Sequence, residues 1–404
     1  MRTISNSRFI PLLAALILIS ASMAGAQAGQ LDPTFGSGGI ATTDFGIQYQ
    51  QDIAAVGGVA IQGNGEIVVA GGVPANNGKE FPSFAVARYL TNGSLDTSFG
   101  NGGVSVILSL FGNFTCLAIQ PDGKIVAGGG EDLARFNTDG SLDSTFGTGG
   151  IVSLDEPVSI AALALDANGD IAVAEGNHLL VFSPTGQSAG SFTLPASTAS
   201  SIAVLSDGKY LVGTANPSFV FRYTSSGNLD TTFAINGQLP TPGPANGLAL
   251  PNSKDLLVAG SLPSTPTTPE PSLGFALSSY KDAGIADPKF AKNGGIVTPL
   301  SGLPSITTTG LGVEPTTASI VVSGTASGGS EQAFGLARYT ALGQLDNGFG
   351  TGGTVITNFP NSFATASGLA IQSDGKIVVA GTVITPENHG GSDTAFVVAR
   401  YLAQ

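Results

Sequence analysis

One line of sequence recurs along the chain and limits the folds that are open to it. ARYLTNGSLDTSFGNGG (87–103) is followed by DLARFNTDGSLDSTFGTGG (132–150) and, far downstream, by GLARYTALGQLDNGFGTGG (335–353). Aligned with itself, the chain yields seven copies of a unit with three parts: an LDxxFGxGG turn that leads into a β-rich run, a hairpin best written AIQxDGKIVVAG, and a strand best written FxxARY. Repetition at a spacing of roughly 40–65 residues indicates a fold assembled from one structural unit.

Each unit contains about four short strands. Runs such as KIVVAG and FAVAR are apolar and rich in β-branched residues, and Asn-Gly or Asp-Gly turns bound them. The PDGK and SDGK segments are hairpin turns in which Gly supplies a positive φ. A Phe that recurs once per unit is expected to anchor the repeat, and its seven copies are Phe35, Phe99, Phe146, Phe192, Phe233, Phe290 and Phe349.

Seven units of four strands predict an all-β fold, a seven-bladed β-propeller of four-stranded antiparallel blades. A Gly-rich outer-membrane barrel is the main alternative, but it needs longer strands and two aromatic girdles, whereas the aromatics here recur at one point of each unit. The chain enters the repeat at LDPTFGSGGI (31–40) and ends just after FVVARY (396–401). We therefore expect the N- and C-terminal strands to pair in one blade and close the ring, which removes exposed strand edges.

Beyond the first 28 residues, every Arg of the chain lies in the FxxARY strand, and in four of five cases an Asp follows eight residues later. A short hairpin loop would place the two side chains opposite each other, and a bidentate ion pair there would fix the blade register. In a closed ring, Arg400 should pair with Asp32 at the other end of the chain. The predicted pairs are Arg88–Asp96, Arg135–Asp143, Arg222–Asp230, Arg338–Asp346 and Arg400–Asp32.

Two units test this pairing model. The unit with Val181 in place of Arg also has Ala189 in place of Asp, whereas the unit with Ser279 keeps Asp287. An anion site made by the arginines is disfavoured, because even spacing around a ring prevents them from converging. A metal site at the aspartates is disfavoured too, because one carboxylate per blade is more typical of a turn cap.

The lines ARYxxxGxLDxxFGxGG and AIQxDGKIVVAG resemble the delta-60 repeat, a family of bacterial exported propellers whose biochemical role is not established. The resemblance extends over residues 29–404. It is weaker in the units of Phe192 and Phe290, where Leu-Asp becomes Ser188-Ala189 and Ala286-Asp287. It implies a secreted or cell-surface protein, since such repeats often stand beside adhesive domains.

The N-terminus is typical of a secretory signal. Arg2 and Arg8 precede the apolar run PLLAALILIS, and small residues follow it. The run is too short to span a membrane comfortably, and no basic cluster follows it. We therefore interpret residues 1–28 as a signal peptide cleaved after Ala26 or Ala28, and residues 29–404 as a single propeller domain, a secreted or periplasmic monomer with no membrane span.

Few residues have the chemistry that catalysis or metal binding requires. The chain has two histidines, one cysteine, no Trp and a formal charge of −13, which disfavours nucleic acid as a partner. His178 is expected in an exposed loop and Cys116 in the core. Glu387, His389 and Asp393 are weak candidates for a metal site. No GxSxG, HExxH, Walker or CxxC motif is present, and the sequence predicts neither catalytic residues nor cofactors.

Loop length varies between units. The connections between second and third strands lengthen at Val73–Ser83, Ser261–Ser272, Thr325–Gln332 and Thr382–Thr394, which a closed ring brings to one sector of one face. Tolerated surface insertion explains these loops equally well. Two functions stay open: a non-catalytic binding or scaffolding module that engages a protein or a glycan through these loops, and a propeller-type hydrolase, a lactonase or glycan-active enzyme, with a metal site at the central channel.

Overall fold

The computed structural model describes residues 27–45, 54–73, 82–154, 159–195, 198–262, 274–386 and 392–404. In these ranges the chain forms strands and turns and contains no helix that is long and apolar enough to cross a membrane. Most of the predicted signal peptide lies outside the described residues, as do the weak metal candidates Glu387 and His389.

Seven sheets of antiparallel strands make up the molecule, and six of them use consecutive strands. β1 (Ile40–Asp44) precedes them and belongs to the last sheet. The first blade consists of β2 (Ala55–Ile61), β3 (Ile67–Val73), β4 (Ser83–Tyr89) and β5 (Val104–Phe111). The second consists of β6 (Cys116–Ile119), β7 (Ile125–Gly129), β8 (Asp132–Phe136) and β9 (Ile151–Ser153). The third consists of β10 (Ile160–Leu165), β11 (Ile171–Glu175), β12 (His178–Phe182) and β13 (Ser188–Thr193).

The remaining blades repeat this order. The fourth and fifth are β14 (Ala199–Val204), β15 (Tyr210–Thr214), β16 (Phe219–Tyr223) and β17 (Gln238–Pro240); β18 (Gly247–Ala249), β19 (Leu256–Ser261) and β20 (Phe275–Lys281), with which β21 (Ile285–Ala286) and β22 (Gly295–Thr298) both pair. The sixth is β23 (Ser305–Val313), β24 (Ile320–Gly328), β25 (Glu331–Tyr339) and β26 (Thr354–Thr357), and the seventh is β27 (Phe363–Ile371), β28 (Ile377–Pro386), β29 (Ser392–Tyr401) and β1.

The two ends of the chain share the seventh blade. β1 pairs with β29 in antiparallel register, with Ile40 opposite Ala399 and Asp44 opposite Ala395. The sheet order β1-β29-β28-β27 closes the ring, so the predicted fold is confirmed: a seven-bladed propeller of four-stranded antiparallel blades. Closure gives every blade a neighbouring blade on each of its two faces, so that only short strand edges remain.

The middle strands of each blade form the core because neighbouring blades cover both of their faces. In the first blade the two middle strands are β3 and β4, and every residue of both is buried. A strand buried on both faces needs a continuous apolar run rather than alternation of apolar and polar residues. This is why IVVAGGV and SFAVARY carry the strongest repeat signal.

Candidate functional site

The innermost strands of the seven blades surround a channel on the axis of the ring. The cavity has a volume of about 400 Å³, and all seven blades contribute to its wall. In five of the inner strands the register shifts by one residue at the wall, a β-bulge that turns a small residue toward the axis. The wall is therefore built from small residues, among them Gly57, Thr115, Ala161, Ser200 and Ser367.

The polar groups of the channel are neutral. Hydroxyls, the Asn246 amide and the Cys116 thiol line it together with Gly, Ala, Val, Ile and Leu, and the described lining contains no carboxylate, imidazole, Lys or Arg. Several of these groups bond to backbone: Ser200 Oγ donates to Ala245 O at 2.9 Å and Thr115 Oγ1 to Ile160 O at 2.6 Å. The channel is a neutral hydrogen-bonding surface.

Cys116 was expected in the core, but it is only half-buried and lies on the channel wall. The inward turn at the start of β6 brings it there. Burial raises the pKa of its thiol to about 12, and its Sγ lies 3.5 Å from Gly128 O. Because the thiolate is the nucleophilic form, this residue is a poor nucleophile at neutral pH.

The Arg and Asp residues of the repeat contact each other on one face of the ring. Arg Nε donates to Asp Oδ2 at 2.8 Å in the pairs Arg88–Asp96 and Arg135–Asp143 and at 2.9 Å in Arg222–Asp230 and Arg338–Asp346. Arg400 Nε lies 3.0 Å from Asp32 Oδ2 across a separation of 368 residues. Each guanidinium lies over the Phe of the same unit, at 4.6–4.8 Å from the ring centroid.

The pairs are not bidentate in the expected sense, because the two Asp oxygens have different partners. In the second blade, Asp143 Oδ2 receives Arg135 Nε and Nη2, each at 2.8 Å, while Oδ1 accepts from the backbone N–H and the hydroxyl of Thr145. Asp32, Asp96 and Asp230 have the same arrangement with the residue two positions on. One carboxylate therefore caps its own turn and holds the Arg.

The remaining Arg nitrogen reaches the following blade. Arg88 Nη1 donates to Thr138 O, and Arg222 Nη1 donates to Asp282 O. Arg135, Arg338 and Arg400 make the same contact with the carbonyls of Pro184, Ala403 and Thr91. We call this unit the inter-blade latch: the Arg, Asp and Phe of one unit together with the turn of the next blade that they contact.

The Phe anchors complete the latch. A Cβ added to Gly140 would lie 2.7 Å from Gly100 N and 3.1 Å from Phe99 Cδ1, so the turn glycine of one blade sits directly on the Phe of the preceding one. Gly93, Gly186, Gly227, Gly284, Gly343 and Gly29 pack in the same way on Phe35, Phe146, Phe192, Phe233, Phe290 and Phe349. The contact between Phe and turn glycine thus occurs at all seven junctions, whereas the full latch with its Arg–Asp pair occurs at five and is missing from the units of Phe192 and Phe290.

The blade with Ser279 replaces the missing Arg by a different residue. Lys281 lies two positions further along β20, and its Nζ is 2.7 Å from Asp287 Oδ2. Residues at i and i+2 of a strand point to the same face, so the ammonium takes the place of the guanidinium. This explains why Asp287 is present without an Arg.

One recurring contact was missed from the sequence. The Gln of the AIQxDGK hairpin is buried and bonds to the next blade: Gln62 Nε2 to Gly123 O at 3.2 Å, Gln372 Nε2 to Gly65 O at 3.3 Å and Gln120 Nε2 to Pro184 O at 3.4 Å. The recurrence of this Gln beside the Asp-Gly turn was the sequence feature that could have predicted the contact. A polar residue at a fixed offset in an otherwise apolar strand needs a partner.

The segment Thr325–Gln332 is not a loop. Thr325–Gly328 continues β24 and Glu331–Gln332 begins β25, so that only two residues turn between the strands. Small polar residues concealed this extension, whose alternate members Ala326 and Ala333 face each other and are fully buried. Thr382–Thr394 likewise begins and ends in β28 and β29, with Asp393 paired to Thr385, while 387–391 lie outside the described residues.

The other two connections are described only at their ends. Val73 and Ser83 lie in β3 and β4, Ser261 ends β19, and residues 74–81 and 263–273 lie outside the described ranges. The blades with long described hairpins are the sixth and the seventh, whose middle strands have 9 or 10 residues against 5 in the third blade. We call these two blades the raised sector.

A groove lies at the rim of the raised sector. It has a volume of about 530 Å³ between the β24–β25 turn and the segment that joins β26 to β27. Phe359 is held edge-on against the buried Phe334 at a centroid distance of 5.0 Å. Ser362 Oγ lies 2.8 Å from Thr385 Oγ1 of the seventh blade. The described lining is Ser330, Glu331, Gln332, Asn358, Phe359, Asn361, Ser362 and Phe363.

His178 lies in a strand and not in an exposed loop as expected. It is the first residue of β12, half-buried, and opposite Glu175 at the end of β11. Only two residues turn between the strands, and the first of them, Gly176, has a φ of 51°. Because the turn ends before His178, this residue is already part of the strand. No group of three or more metal-ligating side chains occurs among the residues that the structure describes.

These features define a seven-bladed propeller with a neutral channel and latched blade junctions. Five segments of the chain match a domain of unknown function, the DUF5122 beta-propeller, at residues 62–99, 120–146, 205–233, 319–349 and 372–404. These segments contain the repeat lines that resemble the delta-60 repeat, and the two descriptions are compatible. No curated protein matches the sequence.

Solved structures with the same fold cover most of the chain. A streptogramin B lyase is 12% identical over 89% of this chain and 97% of its own, with a TM-score of 0.54. Virginiamycin B lyase from Staphylococcus aureus is 14% identical over 89% and 98% (TM-score 0.51). The extracellular domain of a hybrid two-component system from B. thetaiotaomicron is 14% identical over 89% of this chain and 41% of that one (TM-score 0.51). Such identities indicate a common fold and nothing about activity.

Proposed function

We propose that this protein is an exported, non-catalytic binding module, secreted or periplasmic, that engages a glycan through the groove of the raised sector. The observation that carries the proposal is the composition of that groove. The Glu331 carboxylate, the amides of Gln332, Asn358 and Asn361 and the Ser362 hydroxyl line one depression of about 530 Å³ together with the aromatic side chains.

A polyhydroxylated ligand suits such a lining. Sugar hydroxyls both donate and accept hydrogen bonds, and amide side chains offer both functions in a fixed geometry. Phe359 and Phe363 supply apolar surface for the C–H faces of a sugar ring, and Phe359 is itself packed on Phe334. A rigid scaffold that carries variable surface segments is where binding sites commonly occur.

The hydrolase alternative requires a convergent cluster of carboxylate and amide ligands at the channel. The described channel wall offers the Asn246 amide and hydroxyl groups, and Asn246 Nδ2 already donates to Thr308 O at 3.2 Å. General acid–base catalysis would also need a titratable group there, which neutral hydroxyls and a thiol of raised pKa do not supply. We therefore favour binding over catalysis.

The experiment is a glycan array probed with the mature protein and with two alanine variants. We expect the wild type to bind at least one bacterial polysaccharide, and Gln332→Ala with Asn361→Ala to weaken that binding at least tenfold, a loss of about 1.4 kcal/mol. The control is Asn168→Ala, an exposed amide at the opposite end of the third blade.

Unchanged binding by the groove variant would contradict the assignment of the groove. If no polysaccharide binds and a purified envelope protein binds instead through the same residues, the ligand is a protein and not a glycan. The Asn168→Ala control should match the wild type in either case.

A further inference from the structure

Three turns on the face of the ring that carries the latches expose large aliphatic side chains to solvent. Ile235, Ile285 and Leu342 are 66%, 66% and 58% exposed, and they belong to the fourth, fifth and sixth blades. We call this side of the ring the latch face. Exposed aliphatic residues that are scattered singly need no explanation, whereas a contiguous set of them indicates an interaction surface.

Each of the three residues departs from the repeat, whose other copies have small or polar residues at the same position. Ile235 makes the backbone bridge that other turns make with Ser37, Asn101, Thr148, Lys292 and Thr351. Ile285 follows the latch glycine, where the other units have Gln30, Ser94, Ser141, Gln187, Asn228 and Gln344. Leu342 precedes the latch glycine, where the other units have Ala28, Asn92, Asp139, Thr185, Ser226 and Ala283. Departures from a consistent local pattern tend to mark functional positions.

Backbone contacts place the three departures side by side across two blade junctions. Ala234 N donates to Ala283 O at 2.8 Å, so Ile235 and Ile285 lie at the junction of the fourth and fifth blades. Ala291, in the same turn region of the fifth blade, donates its N–H to Leu342 O at 2.7 Å. The aliphatic residues therefore follow one arc of the latch face, with the fifth blade at its centre.

The fifth blade is also where the positive charge of the chain is concentrated. Its described residues include four of the eight lysines of the chain and only three aspartates, in a protein with a formal charge of −13. Lys281 is held by Asp255 and Asp287, with N–O distances of 3.0 and 2.7 Å. The other three lysines are exposed in turns of the latch face. We call the surface made by these lysines and the three aliphatic residues the basic arc: Ile235, Ile285, Leu342, Lys254, Lys289 and Lys292.

We propose that the basic arc binds the surface of an anionic lipid bilayer. Aliphatic side chains at protruding turns can enter the boundary between headgroups and acyl chains, and the lysine ammonium groups pair with lipid phosphates. The methylene stems of the lysines add apolar contact at the same depth. The remainder of this acidic chain is repelled by such a surface, so charge restricts the contact to the fifth blade and its neighbours.

A bilayer suits the shape of the basic arc better than an acidic protein does. The three aliphatic side chains lie on separate turns, and a folded partner would need a separate pocket for each of them. A bilayer accepts protruding side chains without preformed pockets. The β24–β25 turn lies at the opposite ends of the strands, so a molecule bound through the basic arc would hold the groove of the raised sector away from the bilayer.

Co-sedimentation of the mature protein with lipid vesicles tests the proposal. We expect binding to vesicles made of equal parts of phosphatidylcholine and phosphatidylglycerol, and none to vesicles of phosphatidylcholine alone. Binding should weaken about tenfold when the salt concentration rises from about 0.1 to 1 M, because the screening length falls from about 10 to 3 Å.

Two sets of variants separate the apolar and the charged parts of the basic arc. Ile235→Thr, Ile285→Ser and Leu342→Asn, combined in one chain, introduce residues that other blades have at these positions and are expected to keep the fold. This variant should lose binding about tenfold or more. Lys289→Thr and Lys292→Thr should each weaken binding to anionic vesicles about fivefold.

The control removes exposed apolar side chains elsewhere on the ring. Val106→Thr with Leu108→Thr changes β5 of the first blade, where these residues are 40% and 54% exposed, and should bind vesicles as the wild type does. Glycan binding by the basic-arc variants should be unchanged, so this proposal and that of the groove can fail separately.

The proposal is overturned if the wild type does not sediment with anionic vesicles, if it sediments equally with neutral ones, or if the triple aliphatic variant binds as the wild type does. Binding of polyglutamate through the same lysines, without binding of vesicles, would overturn it in favour of an acidic protein as the partner.

Discussion

At the scale of single residues, the repeat uses one aspartate for two tasks. Oδ1 of Asp143 caps the Thr145 turn and Oδ2 holds Arg135, so the turn and the ion pair form together. The Arg135 guanidinium can bond to the aspartate and to the Pro184 carbonyl while it stacks on the face of Phe146, because it is planar and has five donors. An ammonium, as in the Lys281 substitute, can satisfy the aspartate but cannot stack on a ring as a plane.

The aspartates make stability depend on pH. Burial by itself would raise the pKa of Asp143, but hydrogen bonds from Lys124 and Thr145 and the charge of Arg135 outweigh it, and the pKa lies below the ordinary 3.8. The pKa of Asp32 and of Asp230 is lowered by the same balance of burial against a Thr hydrogen bond and an Arg. A folded-state pKa below the unfolded one stabilises the protein above the unfolded value.

We therefore expect full stability above about pH 4 and a steep fall of the melting temperature below it, as the pH drops toward the lowered folded-state pKa values. Asp143→Asn should melt at a lower temperature at neutral pH and should show a shallower fall below about pH 4. Calorimetry from pH 7 to pH 2 measures both. Parallel profiles for the variant and the wild type would contradict the role of Asp143.

At the scale of elements, the inter-blade latch joins the turn of one blade to the Phe of the preceding one. Gly100 N donates to Asp139 O at 2.8 Å, so the backbones of two blades also bond directly at this point. Gly140 has a φ of 85° and no space for a side chain, which accounts for glycine at this place in the repeat. The blade junctions are thus held by short-range contacts that recur around the ring.

Gly140→Ala and Gly149→Ala separate the contact from the conformation. Both glycines have positive φ, 85° and 63°, and an alanine costs about 1–2 kcal/mol at either for that reason. Only the Cβ at position 140 would meet atoms of the preceding blade, whereas that at position 149 has nothing within 4 Å. Overpacking should add about 1–3 kcal/mol to the cost of Gly140→Ala alone. Equal losses in urea unfolding would show that the turn does not support the neighbouring blade.

At the scale of the whole molecule, the latch between the sixth and seventh blades is built from both chain ends. Gly350 N donates to Ala28 O at 2.8 Å, Gly29 N to Leu402 O at 2.9 Å, and Arg338 to Ala403 O. Ala28 and Ala403 are both buried. The ring is therefore closed twice, by the β1–β29 pairing and by these terminal contacts.

Three N-terminal starts test this closure. A chain that begins at Gln27 keeps every contact, one that begins at Gly29 loses the acceptor of Gly350 N, and one that begins at Pro33 also loses Asp32 and leaves Arg400 buried without its carboxylate. We expect the second to be less stable by about 1–3 kcal/mol and the third by at least a further 3–5 kcal/mol. Thermal melts of the three forms measure this order.

The same contacts distinguish the two cleavage positions that the sequence allows. Cleavage after Ala26 would preserve the terminal contacts. Under the proposed export, we therefore expect mass spectrometry of the mature protein to give Gln27 as the first residue. A mature chain that starts at Gly29 with undiminished thermal stability would contradict the importance of Ala28.

The sequence by itself determined the blade count, the strand order and the pairing of Arg400 with Asp32. These features are periodic, and every copy of a motif reports the same local geometry. The register of the FxxARY strand against the following turn depends on residues eight apart in the chain, which sequence spacing describes directly.

Only the tertiary structure decided which contacts cross from one blade to the next. In a repeat protein, a Phe that contacts its own unit and a Phe that contacts the next unit recur at the same spacing in the sequence. The spacing therefore cannot predict that Phe99 packs against Gly140 of the following blade. The extension of β24 and β25 within the sixth blade was hidden for a different reason, since small polar residues there resemble those of a loop. Contacts between copies of one unit are set by three-dimensional packing, and that information is not present in the period of the repeat.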